Sequence, residues 1–163
     1  MATTIIEGDV LIRGALAPES FTAPPQSVSS DAVKTGANID ADKLESRVYA
    51  SHAQPNTAAT TETRSLFVAR RPGTVNSVIA GSIAKAVGDS TVTVDVKKNG
   101  TTILSAVITL DNANTARVGE AGTVNVSAFV AGDWFEVVIT ATVGTGTLPT
   151  GVFVQMEVDQ NGL

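Results

Sequence analysis

The chain has no cysteine, one histidine, one tryptophan and one tyrosine. Without cysteine there is no disulfide and no thiolate metal site, and redox usage says nothing about compartment. Aromatic residues are only 4% of the chain, so a core must be assembled from Val, Ile, Leu and Ala. Charged residues reach 17%, below the rough quarter usual for soluble domains. No apolar run approaches the roughly 20 residues that cross a bilayer as a helix, so no membrane partner is expected. Met1-Ala2-Thr3-Thr4 lacks a basic n-region, so no secretory signal is expected.

What fills these gaps is Thr, Ala, Val, Ser and Gly. Val and Thr suit pleated surfaces, because branching at Cβ restricts χ1 yet packs well on a sheet. The strongest local signal is Lys97-Lys98-Asn99-Gly100 between the alternating runs Thr91–Val96 and Thr101–Leu110. Asn-Gly between such runs predicts a β-hairpin. Val92, Val94 and Val96 share one face, as do Leu104, Ala106, Ile108 and Leu110. Further strands are expected at Leu66–Ala69, Thr74–Ala80, Gly122–Val130, Trp134–Thr142 and Val152–Val158. Phe135, Val137, Ile139 and Ala141 point one way, as do Val152, Val154, Met156 and Val158. Seven or eight short strands and no helix of globular length predict an all-β fold, a β-sandwich of jelly-roll or Ig-like type.

Residues 1–63 read differently. Ala17-Pro18, Pro24-Pro25 and Gln54-Pro55 break regular structure. Asp40–Arg47 suits a short helical turn with Asp40 as its N-cap, and Ser51–Thr63 has the composition of a linker. Apolar residues are too sparse for an independent core and too many for a solvating tail. The expected organisation is therefore an extended N-terminal arm over 1–63 and a sandwich domain over 64–163. Formal net charge is −5. The arm holds four basic residues (Arg13, Lys34, Lys43, Arg47) against eight acidic ones, which argues against a phosphate-backbone footprint. Arg70-Arg71 and Lys97-Lys98 read as solvated turn or edge positions, so nucleic acid is not an expected partner.

Chemistry is hard to find. His52 is the sole candidate imidazole base, and within the linker it reads as a solvated residue or a partner contact. There is no nucleophile elbow and no phosphate loop, and Gly144-Thr145-Gly146 sits in a hairpin turn. Asp133, Glu136, Glu157 and Asp159 are the carboxylates a glycosidase would need. Glu136 and Glu157 alternate with core residues, so both are expected to face water rather than an apolar cleft. Asp89, Asp95 and Asp111 are too dispersed to announce a Ca²⁺ site. No catalytic residue, metal ligand or cofactor site is assigned. Trp134, opposite Phe135, is read as a surface or subunit-interface aromatic, with a sugar platform as the other reading.

Several segments carry a family resemblance: Asn38-Ile39-Asp40-Ala41-Asp42-Lys43-Leu44-Glu45, Gly88 through Gly100, Ala131-Gly132-Asp133 with Phe135–Val138, and Gly144-Thr145-Gly146 with Pro149 and Gly151. Across residues 38–159 the chain resembles the decoration, or cement, proteins of tailed-phage heads. That resemblance implies a homotrimeric β-sandwich on the capsid exterior of a virion. It also implies an arm that clamps neighbouring capsomers, with the major capsid protein as partner and no enzymatic activity. Leu11, Phe21, Val28, Ile39 and Leu44 are then the expected capsid-binding residues of the arm. A receptor- or glycan-binding module of a phage fibre or secreted protein remains the alternative.

Overall fold

Strand alternation governs the architecture. The computed structural model describes residues 46–160. The strands are β1 Ser46–Ala53, β2 Glu62–Val68, β3 Gly73–Ala84, β4 Thr91–Lys98, β5 Thr101–Thr102, β6 Ile108–Leu110, β7 Gly119–Gly122, β8 Ala128–Phe129, β9 Trp134–Thr142 and β10 Thr150–Gln160. One sheet has the order β1-β10-β3-β7, with β8 also on β3; the other has β2-β9-β4-β5, with β6 also on β4. All ladders are antiparallel. Counting β5 with β6 and β7 with β8 as interrupted strands, each sheet has four, and the chain passes between sheets as it ascends. Of the two sandwich types expected, this is the jelly-roll order.

The two inner faces meet as the alternation requires. Val92, Val94, Val96, Phe135, Val137, Ile139, Val152, Met156 and Val158 are all 0% exposed. Phe67 and Phe135 from one sheet and Phe129 from the other form an aromatic trio at one end. Their ring centroids lie 6.2, 5.9 and 5.5 Å apart. The edge-to-face pairs within it match the quadrupole preference of aromatic rings.

Two expectations are corrected. The sandwich begins at Ser46 rather than at Arg64, because β1 pairs along its whole length with β10, from Ser46 opposite Gln160 to Ala53 opposite Phe153. Arg47 and Ser46, assigned to the helical turn, therefore lie in a strand, and Ser51, His52 and Ala53 are not linker. The inward set of β1 is Val48, Ala50 and His52, too small and polar to register as an apolar face. The rest of the expected turn lies outside the described residues.

The second correction concerns the hairpin's return strand. Ile103 and Leu104 are adjacent yet both buried, at 1% and 3% exposure, which breaks the alternation expected of the return strand. The ladder breaks after Thr102, Leu104 bridges to Val124, and Ala106 is exposed. The N–H groups of Asn125 and Val126 donate to the Ile103 carbonyl at 2.8 and 3.1 Å. The return strand is thus diverted to close one end of the core before resuming at Ile108.

The turn itself forms as expected. Asn99 and Gly100 both have positive φ, 50° and 83°, the signature of a two-residue type I′ hairpin turn.

Candidate functional site

The arm residues Leu11, Phe21, Val28, Ile39 and Leu44 lie outside the described residues. Trp134 lies within them, at the start of β9 and opposite Val68 of β2. Direct cross-strand partners share a face, and here it is the outer one. Trp134 is 41% and Val68 56% exposed, and Val130, in the adjoining turn, is 61% exposed. The indole Nε1–H donates to Ser65 Oγ at 2.8 Å, so the ring is held against β2 with its remaining surface open.

The support beneath this end is built around Asp133 and Asn99. Asn99 Nδ2 donates to Asp133 Oδ1 at 2.7 Å, while its Oδ1 accepts the Trp134 N–H at 2.9 Å. The Asn99 N–H donates to the Trp134 carbonyl at 2.9 Å. Asp133 Oδ2 accepts the Val130 N–H at 2.9 Å. The Val130 N–H, then the Asn99 amide, hold the Asp133 carboxyl below its usual range, with Lys98 adding to the effect. Lys98 is not a free charge at the loop tip: its Nζ donates to the Ala128 carbonyl at 2.7 Å and lies 3.8 Å from Asp133. Asn99→Ala removes a residue that tolerates the left-handed turn and two side-chain hydrogen bonds. It is expected to cost about 2 kcal/mol, read as a lower urea midpoint at unchanged slope.

The other carboxylates are also engaged in structure. Glu136 faces outward opposite Lys97 on β4. Glu157 and Asp159 flank Arg47, whose Nε lies 3.2 and 3.1 Å from them. Asp89 accepts the backbone N–H and, at 2.8 Å, the hydroxyl of Thr145. That Thr145 N–H is the main reason the Asp89 carboxyl sits below its usual range. Asp95 accepts from Thr102 at 2.6 Å and Asp111 from the Ala113 N–H at 2.8 Å. Among the described residues no group of three or more His, Asp or Glu is placed to hold a metal ion.

One polar cluster escaped the sequence reading. His52 Nε2 lies 2.8 Å from Glu62 Oε1, Gln54 Nε2 donates to the same oxygen at 2.8 Å, and Arg64 Nε donates to Oε2 at 2.7 Å. Gln54 is 7% exposed and also donates to the Thr60 carbonyl at 2.7 Å. The cluster fastens β1 of one sheet to β2 of the other. The His52 and Gln54 bonds join the end of β1 to the start of β2 or to the loop between them, and the Arg64 bond lies within β2.

No protein-family model matches the chain, and no curated protein matches it. A chain solved in the Cyanophage Pam1 capsid asymmetric unit is similar in structure, with a TM-score of 0.51 and 15% identity. The match covers 83% of this chain and 99% of that one. At that identity the likeness establishes a common fold.

Proposed function

We propose that this chain is a structural protein of a phage particle, a decoration or cement protein on the outer surface of an icosahedral head. The observation that carries the reading is the fold match across nearly the whole of a chain from a solved phage capsid asymmetric unit. The sequence resemblance to decoration proteins points the same way. In this reading the protein is not an enzyme. Its partners are the major capsid protein and further copies of itself in a trimer, with no role for nucleic acid or a membrane.

The physical logic is that of a clamp. An extended chain covers roughly 3.3 Å per residue, so the residues preceding β1 have the reach to cross subunit boundaries. Apolar side chains spaced along them gain stability by entering grooves on the shell. Three linked arms raise the effective concentration once the first has bound. A ligand that binds only the assembled shell stabilises that shell.

Deletion of residues 2–45 leaves β1 intact and is expected to yield a folded body that no longer sediments with undecorated heads. Sedimentation of the truncated form with heads at the wild-type ratio would show that the arm is not the binding element. In the full chain, Phe21→Ala is expected to weaken head binding roughly tenfold or more, the value of one buried aromatic side chain.

The glycan-binding alternative rests on Trp134. Among the described residues no second aromatic is exposed on that sheet, since Phe67 and Phe135 turn inward to the trio. The surroundings of Trp134 favour protein packing over a sugar platform.

A further inference from the structure

Exposed sheet edges invite pairing with other chains, and proteins blunt them with short strands, bulges, proline or charge. Most edges of this sandwich are blunted. The second sheet ends in β2, which is irregular between Ser65 and Phe67 and carries Glu62 and Arg64, and in the two-residue β5. The first sheet ends on one side in the four-residue β7 and the two-residue β8. The opposite edge is β1, which is neither short nor bulged and carries a single formal charge. Its eight residues run in unbroken register with β10 and include no proline and no lysine. Its one full charge, Arg47, is matched by Glu157 and Asp159. Among the described residues, no strand pairs with its outer side.

The direction of its hydrogen-bonding groups can be derived. The Gln54 N–H donates to the Val152 carbonyl at 2.8 Å, continuing the β1–β10 ladder. Antiparallel ladders alternate bonded and non-bonded pairs. The N–H and C=O groups of Arg47, Tyr49, Ser51 and Ala53 therefore point away from β10, toward the open side. Their side chains lie on the outer face of the sheet, where Tyr49 is 56% exposed.

We propose that this edge is a self-pairing surface, on which β1 joins β1 of a second copy, antiparallel and in a register centred on Tyr49. In that register Arg47, Tyr49 and Ser51 of each copy exchange about six backbone hydrogen bonds. Arg47 stands opposite Ser51 of the second copy, so no like charges meet. Val48 stands opposite Ala50 on the inner face and extends the apolar layer. The two Tyr49 rings become direct neighbours on the outer face, a favourable cross-strand pair. A register centred on Ala50 would instead set His52, already bonded to Glu62, against Val48. The contact has a two-fold axis and uses one edge. On a shell it falls between neighbouring trimers, not within one, and it holds whether or not the chain binds a capsid.

The absence of cysteine makes the test clean. Tyr49→Cys in the full chain introduces a single thiol, and paired Cα atoms about 5.5 Å apart are within disulfide range. Mild oxidation is expected to convert most of it to a covalent dimer. Ser51→Cys alone should stay largely uncrosslinked, yet crosslink when mixed with Arg47→Cys. Val143→Cys, at a site 69% exposed, measures random collision. Tyr49→Cys crosslinking no faster than Val143→Cys, or no faster than Ser51→Cys, overturns the proposal. Analytical ultracentrifugation supplies a second readout: Tyr49→Lys should raise the dissociation constant of the two-fold contact at least tenfold with native circular dichroism. An unchanged constant in a folded variant also overturns it. Neither result bears on whether the arm binds heads.

Discussion

Phe135→Ala is expected to destabilise the sandwich by about 3–5 kcal/mol, among the largest losses from any single truncation. Phe135 is fully buried, at the start of the central strand β9, and its ring touches both other members of the aromatic trio. Phe67 lies 5.9 Å away on β2 and Phe129 5.5 Å away on β8 of the opposite sheet. With aromatic residues at 4% of the chain, this trio is the only place where large rings bridge the two layers among the described residues. Removing the central ring leaves a void whose lining comes from rigid neighbouring strands, so collapse is limited. Phe135→Leu, which keeps most of the volume, should cost about 1–2 kcal/mol. Urea unfolding of both variants checks the order. A loss under 1 kcal/mol for the alanine variant would mean that the end of the sandwich closes over the gap.

Much of the body could be read from periodicity because its central strands are long and one-sided. The inward residues of β4, β9 and β10 follow strict alternation, and the Asn-Gly pair places its hairpin turn without ambiguity. Where the reading failed, another force outranked alternation. β1 was missed because an edge strand needs only a small inward face, here Val48, Ala50 and His52. Residues 103–107 depart from alternation because closing one end of the core turns Ile103 and Leu104 inward together. For the candidate site, Trp134 was legible as a surface aromatic from its position opposite Phe135. Its bond to Ser65 spans 69 residues of sequence, and no local pattern encodes a contact of that range. The Asp133–Asn99 support was hidden for the same reason: both residues look like ordinary turn formers, and only the fold brings them together.

Glu62→Gln should produce the second large effect, and one that depends on pH. The His52 ring, against which partial burial works, followed by the Arg64 guanidinium and the Gln54 amide, holds the Glu62 carboxyl at about 2 instead of 4.5. The Glu62 and His52 side chains are 16% and 22% exposed, but Arg64 is 63% exposed, so solvent screens the Arg64 bond. Each pKa unit is worth about 1.4 kcal/mol, and with the exposed Arg64 bond discounted for screening the carboxylate contributes about 1–2 kcal/mol. The sign follows from which form the folded state prefers. A carboxyl with a depressed folded pKa stabilises fully above its unfolded pKa and loses that contribution as pH falls through the folded value. The gap in stability between wild type and Glu62→Gln should therefore be widest above about pH 5. It should narrow steadily between about pH 4.5 and pH 2. Asp89, Asp133 and Asp159 also sit below their usual range, but they titrate alike in both proteins and cancel in the difference. Denaturant midpoints measured from pH 7 to pH 2 give the test, and a gap that stays constant across that range would remove the carboxylate from the account. Because the cluster ties β1 to β2, the acid-weakened protein should lose protection first along Ser46–Ala53, the one long unblunted edge of the sandwich.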